Sequence, residues 1–172
     1  MEDPSAKEAL ILVDSQDRQI GSQPKAECHR HPLTLHRAFS VFLFDQDGRM
    51  LITQRSKKKT TWPGFWSNAC CSHPREGEST EEAAHRRLKE EMGFDTTLSE
   101  AFDFIYKAEF DNGLTEWEFD HVFIGNYDGE VEPDPEEVGG FEWVDPLELK
   151  EDIKNNPEKF TPWFKLALEY VL

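Results

Sequence analysis

Short runs of apolar, β-branched and aromatic residues, separated by turn signals, make up most of this chain and predict strands. Ala9-Leu10-Ile11-Leu12-Val13 is the first such run, and a polar turn over residues 14–18 leads from it to Ile20. Residues 38–44 are apolar throughout apart from Ser40, Asp45-Gln46-Asp47-Gly48 is a turn signal, and residues 50–54 read as the returning arm of a hairpin. A second hairpin is expected from residues 102–110 and 115–127, on either side of Asp111-Asn112-Gly113. Between them, residues 62–66 are loop-like and unusually aromatic, and the loop continues through Cys70 and Cys71 to Pro74. Ser79 followed by Glu82 is a capping-box pattern, so a helix is expected to start at Ser79, run to Met92 and stop at Gly93. A Pro/Glu-rich loop reaches Val138, a short strand covers residues 141–144, Asp145-Pro146 opens a helix, and residues 160–172 form the last one. Mostly antiparallel strands with one mid-chain helix and helices at the end predict an α+β sandwich of layers rather than a strand–helix alternation.

Composition narrows the class. At 172 residues the chain suits one domain, 1–172, with residues 1–24 as an N-terminal extension and strand and 160–172 as a C-terminal helix. A net charge of -16 would repel a nucleic-acid polyanion, though it leaves room for a local basic pocket. Three cysteines, two of them adjacent, fit a reducing compartment better than a disulfide framework. No apolar run approaches the roughly 18 residues of a membrane span. Neither a signal-type stretch nor a prenylation box stands at the ends, so a soluble cytoplasmic protein is expected. Neither GxGxxG nor GxxxxGK[ST] occurs, which argues against dinucleotide and P-loop sites.

Three constellations carry candidate chemistry. His29, His31, His36 and His73 could converge with Glu116 and Glu118, which leave one face of a strand while Trp117 and Phe119 leave the other. Imidazole and carboxylate together suit zinc, manganese or iron; the plainer alternative is surface histidines and a solvated acidic face. A zinc finger fails on spacing, because no CxxC pair is present. Secondly, Glu90 and Glu91 sit at the negative end of the 79–92 helix, a placement that a cation such as magnesium would relieve. An ordinary charged surface helix is the alternative. Thirdly, Arg55, Lys57, Lys58 and Lys59 form the densest basic cluster, suited to phosphate or merely to solubility.

Taken in order, these segments resemble the type 1 isopentenyl-diphosphate isomerases, a divergent branch of the Nudix family. The resemblance runs from about Lys25 to Trp163 and rests on residues 28–40, 51–55, 66–74, 86–93 and 115–118. It implies a Nudix-like α/β/α sandwich with mixed, largely antiparallel sheets. The Nudix box, Gx5Ex7REUxEExGU, aligns with Ser72 at its first glycine, Glu78 at its glutamate and Arg86 at its arginine. Arg87 stands where the box has glutamate, while Leu88, Glu90, Glu91, Gly93 and Phe94 fit. Replacing that acid by a cation favours a protein that holds a diphosphate without cleaving it.

The resemblance further implies interconversion of isopentenyl and dimethylallyl diphosphate through a tertiary carbocation, within isoprenoid precursor biosynthesis. By similarity Glu118 protonates the alkene, Cys71 takes a proton from the carbon two positions away, and Tyr106 hydrogen-bonds near Glu118. Trp163 offers its π-face to the cation. His29, His36, His73, Glu116 and Glu118 hold one manganese or zinc, and Glu91 meets magnesium on the diphosphate. Lys25, Arg55, Lys59 and Arg87 contact phosphate oxygens. The expected partner is a small isoprenoid diphosphate, with no nucleic acid or membrane, and the protein is expected to be a monomer. Cys28 and Cys70 are read as packing residues and His31 as a surface histidine. The competing readings are a Nudix diphosphohydrolase and a catalytically silent metal-binding or interaction module.

Overall fold

A computed structural model describes residues 7–30 and 32–172, so His31 lies outside the described residues. Nine strands join one sheet. They are β1 (Ala9–Val13), β2 (Gln19–Pro24), β3 (His36–Phe44), β4 (Met50–Arg55), β5 (Trp66–Ser67), β6 (Cys70–Ser72), β7 (Leu98–Glu109), β8 (Thr115–Asn126) and β9 (Val138–Val144). The helices are α1 (Lys25–Cys28), α2 (Thr80–Met92), α3 (Pro146–Asn155) and α4 (Pro162–Val171), with a 3-10 turn at Pro157–Lys159.

The long central strand β3 organises the sheet. Along one edge it pairs in parallel with β8 over nine residues, from His36 opposite Glu118 to Phe44 opposite Asn126. Its other edge is shared in succession: Leu12 of β1 pairs with His36, β6 pairs with Phe39–Val41, and Met50 of β4 pairs with Phe44. The expected hairpin at residues 38–54 therefore keeps its turn but not its ladder. Beyond Phe44 and Met50 the arms part, and β4 pairs with β5 and β9 instead. The strand's composition explains this, because Phe39, Val41 and Leu43 on one face and Ala38 and Phe42 on the other are all buried. A strand apolar on both faces must be covered on both.

Alternation along β3 and β8 sends side chains into two cores. Phe39, Val41, Leu43 and Phe123 pack with Ala83, Ala84 and Leu88 of α2. Phe42 and Val122 pack with Leu149 of α3 and with Trp163, Phe164 and Leu168 of α4. The layers are helix, sheet, helix, as the α+β reading requires. Helix α2 matches its sequence signals: Ser79 and Glu82 form the reciprocal capping box, and Gly93 closes the helix at φ 77. The hairpin β7–β8 forms as expected, around Asp111 to Gly113.

Three short pieces differ from expectation. Strand β2 returns from the turn at residues 14–18 and pairs with β1, although residues 19–24 show no apolar pattern. The turn itself is anchored from outside, since Asp17 accepts a hydrogen bond from Arg37 at 2.7 Å and contacts His121 at 2.8 Å. Cys71, expected in a loop, lies in β6. His36, ahead of the apolar run read over residues 38–44, opens β3.

Candidate active site

Glu118 lies between two ladders, opposite His36 of β3 on one side and Tyr106 of β7 on the other. Directly opposed residues share a face, so all three side chains leave the sheet together. Glu116 joins them by the two-residue period of β8, His29 arrives from the end of α1, and His73 from the residue after β6. One donor atom from each of His29, His36, His73, Glu116 and Glu118 falls within 4.8 Å of all the others. His29 Nε2 is 2.8 Å from Glu116 and His73 Nε2 is 3.0 Å from Glu118. His36 Nε2 is 3.5 Å from Glu118, 3.9 Å from Glu116, and has no hydrogen-bond partner although fully buried.

The outer nitrogens set the tautomers. His29 Nδ1 donates to the Lys25 carbonyl at 2.7 Å and His36 Nδ1 to the Thr34 carbonyl at 3.2 Å. A carbonyl can only accept, so each ring turns its Nε2 lone pair toward the carboxylates. Bare nitrogens facing buried oxygens require a cation or a proton. On His29 a proton can take that place: burial would lower its pKa, but Glu116 outweighs burial and raises it. The donor set of three imidazoles and two carboxylates, with the orphaned His36 nitrogen at its centre, fits a divalent metal ion.

A cleft of about 340 Å³ opens beside this cluster. It is lined by Cys71, Tyr106 and Trp163, by the cations Lys25, Arg55, Lys59 and Arg87, and by Glu91, Glu116 and Glu118. Of the residues that the resemblance assigns to the site only His36 is not in its wall, because it lies beneath the floor at 0% exposure, while Lys57, Lys58 and Glu90 lie outside the cleft. Cys71 pairs with Ser40 across β3 from β8, so its side chain leaves the same face of the sheet as Glu118. Cys70 turns to the opposite face, packs in the α2 core and donates its thiol to Glu91 at 3.3 Å. Trp163 stands edge-on to Trp62 at 5.3 Å, and the guanidinium of Arg55 lies 5.3 Å over its ring.

Protonation in the cleft is set by burial against neighbours. Burial pushes the Cys71 thiol up to about 12, against the pull of Arg55. Burial also pushes on Glu118, but His36, Glu116 and the Tyr106 hydroxyl, which donates at 2.7 Å, outweigh it and hold the carboxyl at about 2. Burial thus favours the thiol form of Cys71, while the neighbours of Glu118 favour its carboxylate form. Tyr106 is raised by burial and Glu118, and His73 is lowered by burial and the neighbouring cationic groups.

A family model described as the NUDIX domain matches residues 34–164. An isopentenyl-diphosphate Delta-isomerase of Serratia proteamaculans is 50% identical over 157 residues, covering 91% of this chain and 87% of that protein. One from Nocardia farcinica is 47% identical over 159 residues, 92% of this chain and 91% of that protein. The chain belongs to the isopentenyl-diphosphate Delta-isomerase family. Its fold is similar to that of DR0079 from Deinococcus radiodurans, with TM-score 0.72 and 23% identity over 87% of this chain and 90% of that one.

In this member of the isomerase family the helix end is neutralised from within. Arg87 reaches Glu90 at 2.7 Å and Glu91 at 2.5 Å, and Arg86 pairs with Glu78 at 2.7 Å. Arg87 thus places a guanidinium beside the two carboxylates at which the sequence suggests a cation. Sequence reasoning passed over three residues near the cleft. Asp120 is 1% exposed, accepts from Ser40 at 2.7 Å, and leaves Oδ1 unpartnered. Burial, then Glu118, raises its carboxyl well above the usual range. It continues the spacing of Glu116 and Glu118, a signal that was there to be followed. Glu137, in the wall beside Lys59, and Asn68, which donates to the Val41 and Cys70 carbonyls, had no such signal.

Proposed function

We propose that the protein interconverts isopentenyl and dimethylallyl diphosphate by moving one proton onto an alkene and another off the carbon two positions away. The observation that carries this is the pair Cys71 and Glu118, which line one cleft from different strands, β6 and β8. A 1,3-proton shift needs one donor and one acceptor, with free water kept out of reach of the cation.

Lys25, Arg55, Lys59 and Arg87 bind the diphosphate oxygens at the cleft mouth, where charge-assisted bonds orient the five-carbon tail inward. As Arg55 moves toward phosphate it leaves the Trp163 ring face to the carbocation, a contact worth ~2 kcal/mol in a dry site. Cys71 and Glu118 carry the two protons, each donating in one direction of the reaction and accepting in the other. Tyr106 keeps Glu118 oriented through its 2.7 Å hydrogen bond. Zinc or manganese at the His29, His36, His73, Glu116 and Glu118 cluster and magnesium at Glu91, when bound, supply positive charge that fixes Glu118 and neutralises diphosphate.

Incubation with isopentenyl diphosphate and magnesium should yield the dimethylallyl isomer and no free phosphate. C71A and E118Q should each lower turnover by at least ~10²-fold, the scale of a lost proton-transfer group. Wild-type turnover in either variant would remove that residue from the mechanism, and release of phosphate would make the protein a hydrolase. Stripping metal with 1,10-phenanthroline should abolish turnover and lower the unfolding temperature, and metal analysis of the untreated protein identifies the ion that restores both.

A further inference from the structure

Glu137 stands between two of the cations assigned to the diphosphate. One carboxylate oxygen pairs with Lys59 Nζ, and the other lies 3.4 Å from Arg87 Nη2. Side-chain exposures of 22% for Lys59, 24% for Glu137 and 19% for Arg87 take these contacts out of the weak class of surface pairs. The backbone around Glu137 is pinned on both sides. Its N–H donates to the Asp134 carbonyl, its own carbonyl accepts from Ser56, and Val138 pairs with Arg55 at the end of the β4–β9 ladder. Asp134 in turn donates to the Glu91 carbonyl. The carboxylate is therefore presented to the cleft by a segment tied to both β4 and α2.

Arg87 Nη2 is contested. It lies 2.5 Å from Glu91 Oε1 and 3.4 Å from Glu137 Oε1, so a single nitrogen bridges both carboxylates. Glu91 is the oxygen donor assigned to the ion that meets the diphosphate, and a guanidinium on that oxygen competes directly with a metal. With the charge of Glu137 removed, Nη2 has Glu91 alone. Lys59 loses its carboxylate by the same change.

We propose that Glu137 is a positioning residue of the diphosphate subsite, pairing with Lys59 and competing with Glu91 for Arg87 Nη2, so that a divalent cation displaces the guanidinium from Glu91 more readily. This rests on the cleft being a diphosphate site. It gives Glu137 opposite effects on two binding steps. Without divalent ions its charge opposes an incoming anion and occupies both cations. With them, it lowers the concentration of ion that Glu91 needs.

Titration calorimetry with inorganic pyrophosphate, on the full chain and E137Q, with and without magnesium, separates the two effects. Without magnesium, E137Q should bind pyrophosphate about tenfold more tightly, the effect of removing one like charge beside a partly buried anion. The magnesium concentration for half-maximal enhancement of binding should rise severalfold in the same variant. In an R87Q background the magnesium effect of E137Q should vanish, since its route runs through that guanidinium. Equal loss of affinity with and without magnesium would make Glu137 a packing residue only, and an unchanged E137Q would leave it without a part; either overturns the proposal. Wild-type protein that binds no pyrophosphate under either condition overturns the diphosphate reading of the cleft, and the proposal with it.

Discussion

At Cys71 burial has only Arg55 against it and pushes the thiol up to about 12, while at Glu118 three neighbours overcome burial and hold the carboxyl at about 2. At neutral pH these shifts favour a thiol at the first and a carboxylate at the second, so the thiol is not a nucleophile poised for phosphorus. Iodoacetamide should consequently modify Cys71 on the order of 10³ times more slowly at pH 8 than a free thiol, from thiolate fractions alone. Its rate should climb with each pH unit through pH 10 without a plateau, read by peptide mass spectrometry. Rapid modification at pH 8 would contradict the protonated resting state. At this scale the paired acids were legible, because two glutamates at i and i+2 share a strand face whatever the tertiary structure. Their neighbours were less so. His36 meets Glu118 only through the register of β3 with β8, and Glu137 meets Arg87 only because its turn is tied to α2.

Helix α2 shows how much an element's own ends decide. Ser79 accepts from the Glu82 N–H at 3.1 Å, and Gly93 takes a left-handed conformation that only glycine adopts readily. Ser79→Ala should cost ~1 kcal/mol, the usual worth of an N-cap. Gly93→Ala should cost more, roughly 1–3 kcal/mol for the strained φ, because a Cβ there would also sit 2.7 Å from the Glu132 carbonyl oxygen. Urea unfolding of both variants checks the order, and equal losses would contradict it. Such local signals explain why α2, α3 and the β7–β8 hairpin were legible while the strand partners were not. A turn at residues 45–48 announces itself through Asp and Gly, but whether its arms stay together depends on what else covers β3. Strand β2 is an exposed partner of β1 with no apolar face, and β5 and β6 are too short to show a period.

Across the whole molecule a net charge of -16 coexists with five cations in the wall of one cleft, Lys25, Arg30, Arg55, Lys59 and Arg87, interleaved there with glutamates. Among the described residues no helix is long and apolar enough to cross a membrane. The excess of acids also sets the response to pH. Outside the metal cluster, Glu78, Asp95 and Glu137 have folded pKa values below their unfolded ones, held down by Arg86, by His85, and by Lys59 and Arg87. The unfolded chain takes up protons first, so their contribution is intact above the unfolded value of 4.5 for Glu and is lost as pH falls below it. Asp120, raised by burial, acts in the opposite sense but is one group against five, because Asp14 and Asp45 are lowered as well, by hydrogen bonds from Arg18 and Arg49. The thermal midpoint should fall steadily from pH 5 to pH 3 when followed by circular dichroism, and a rise would contradict these ion pairs. The cluster at the head of β3 has a consequence in time as well as in space. His29 and Glu116 are 87 residues apart and His73 and Glu118 are 45 apart, and the parallel pairing of β3 with β8 that unites them closes a long loop. During synthesis no nascent chain can assemble the full ligand set until β8 has left the ribosome. The five side chains therefore face one another only in the finished fold, not on an emerging polypeptide.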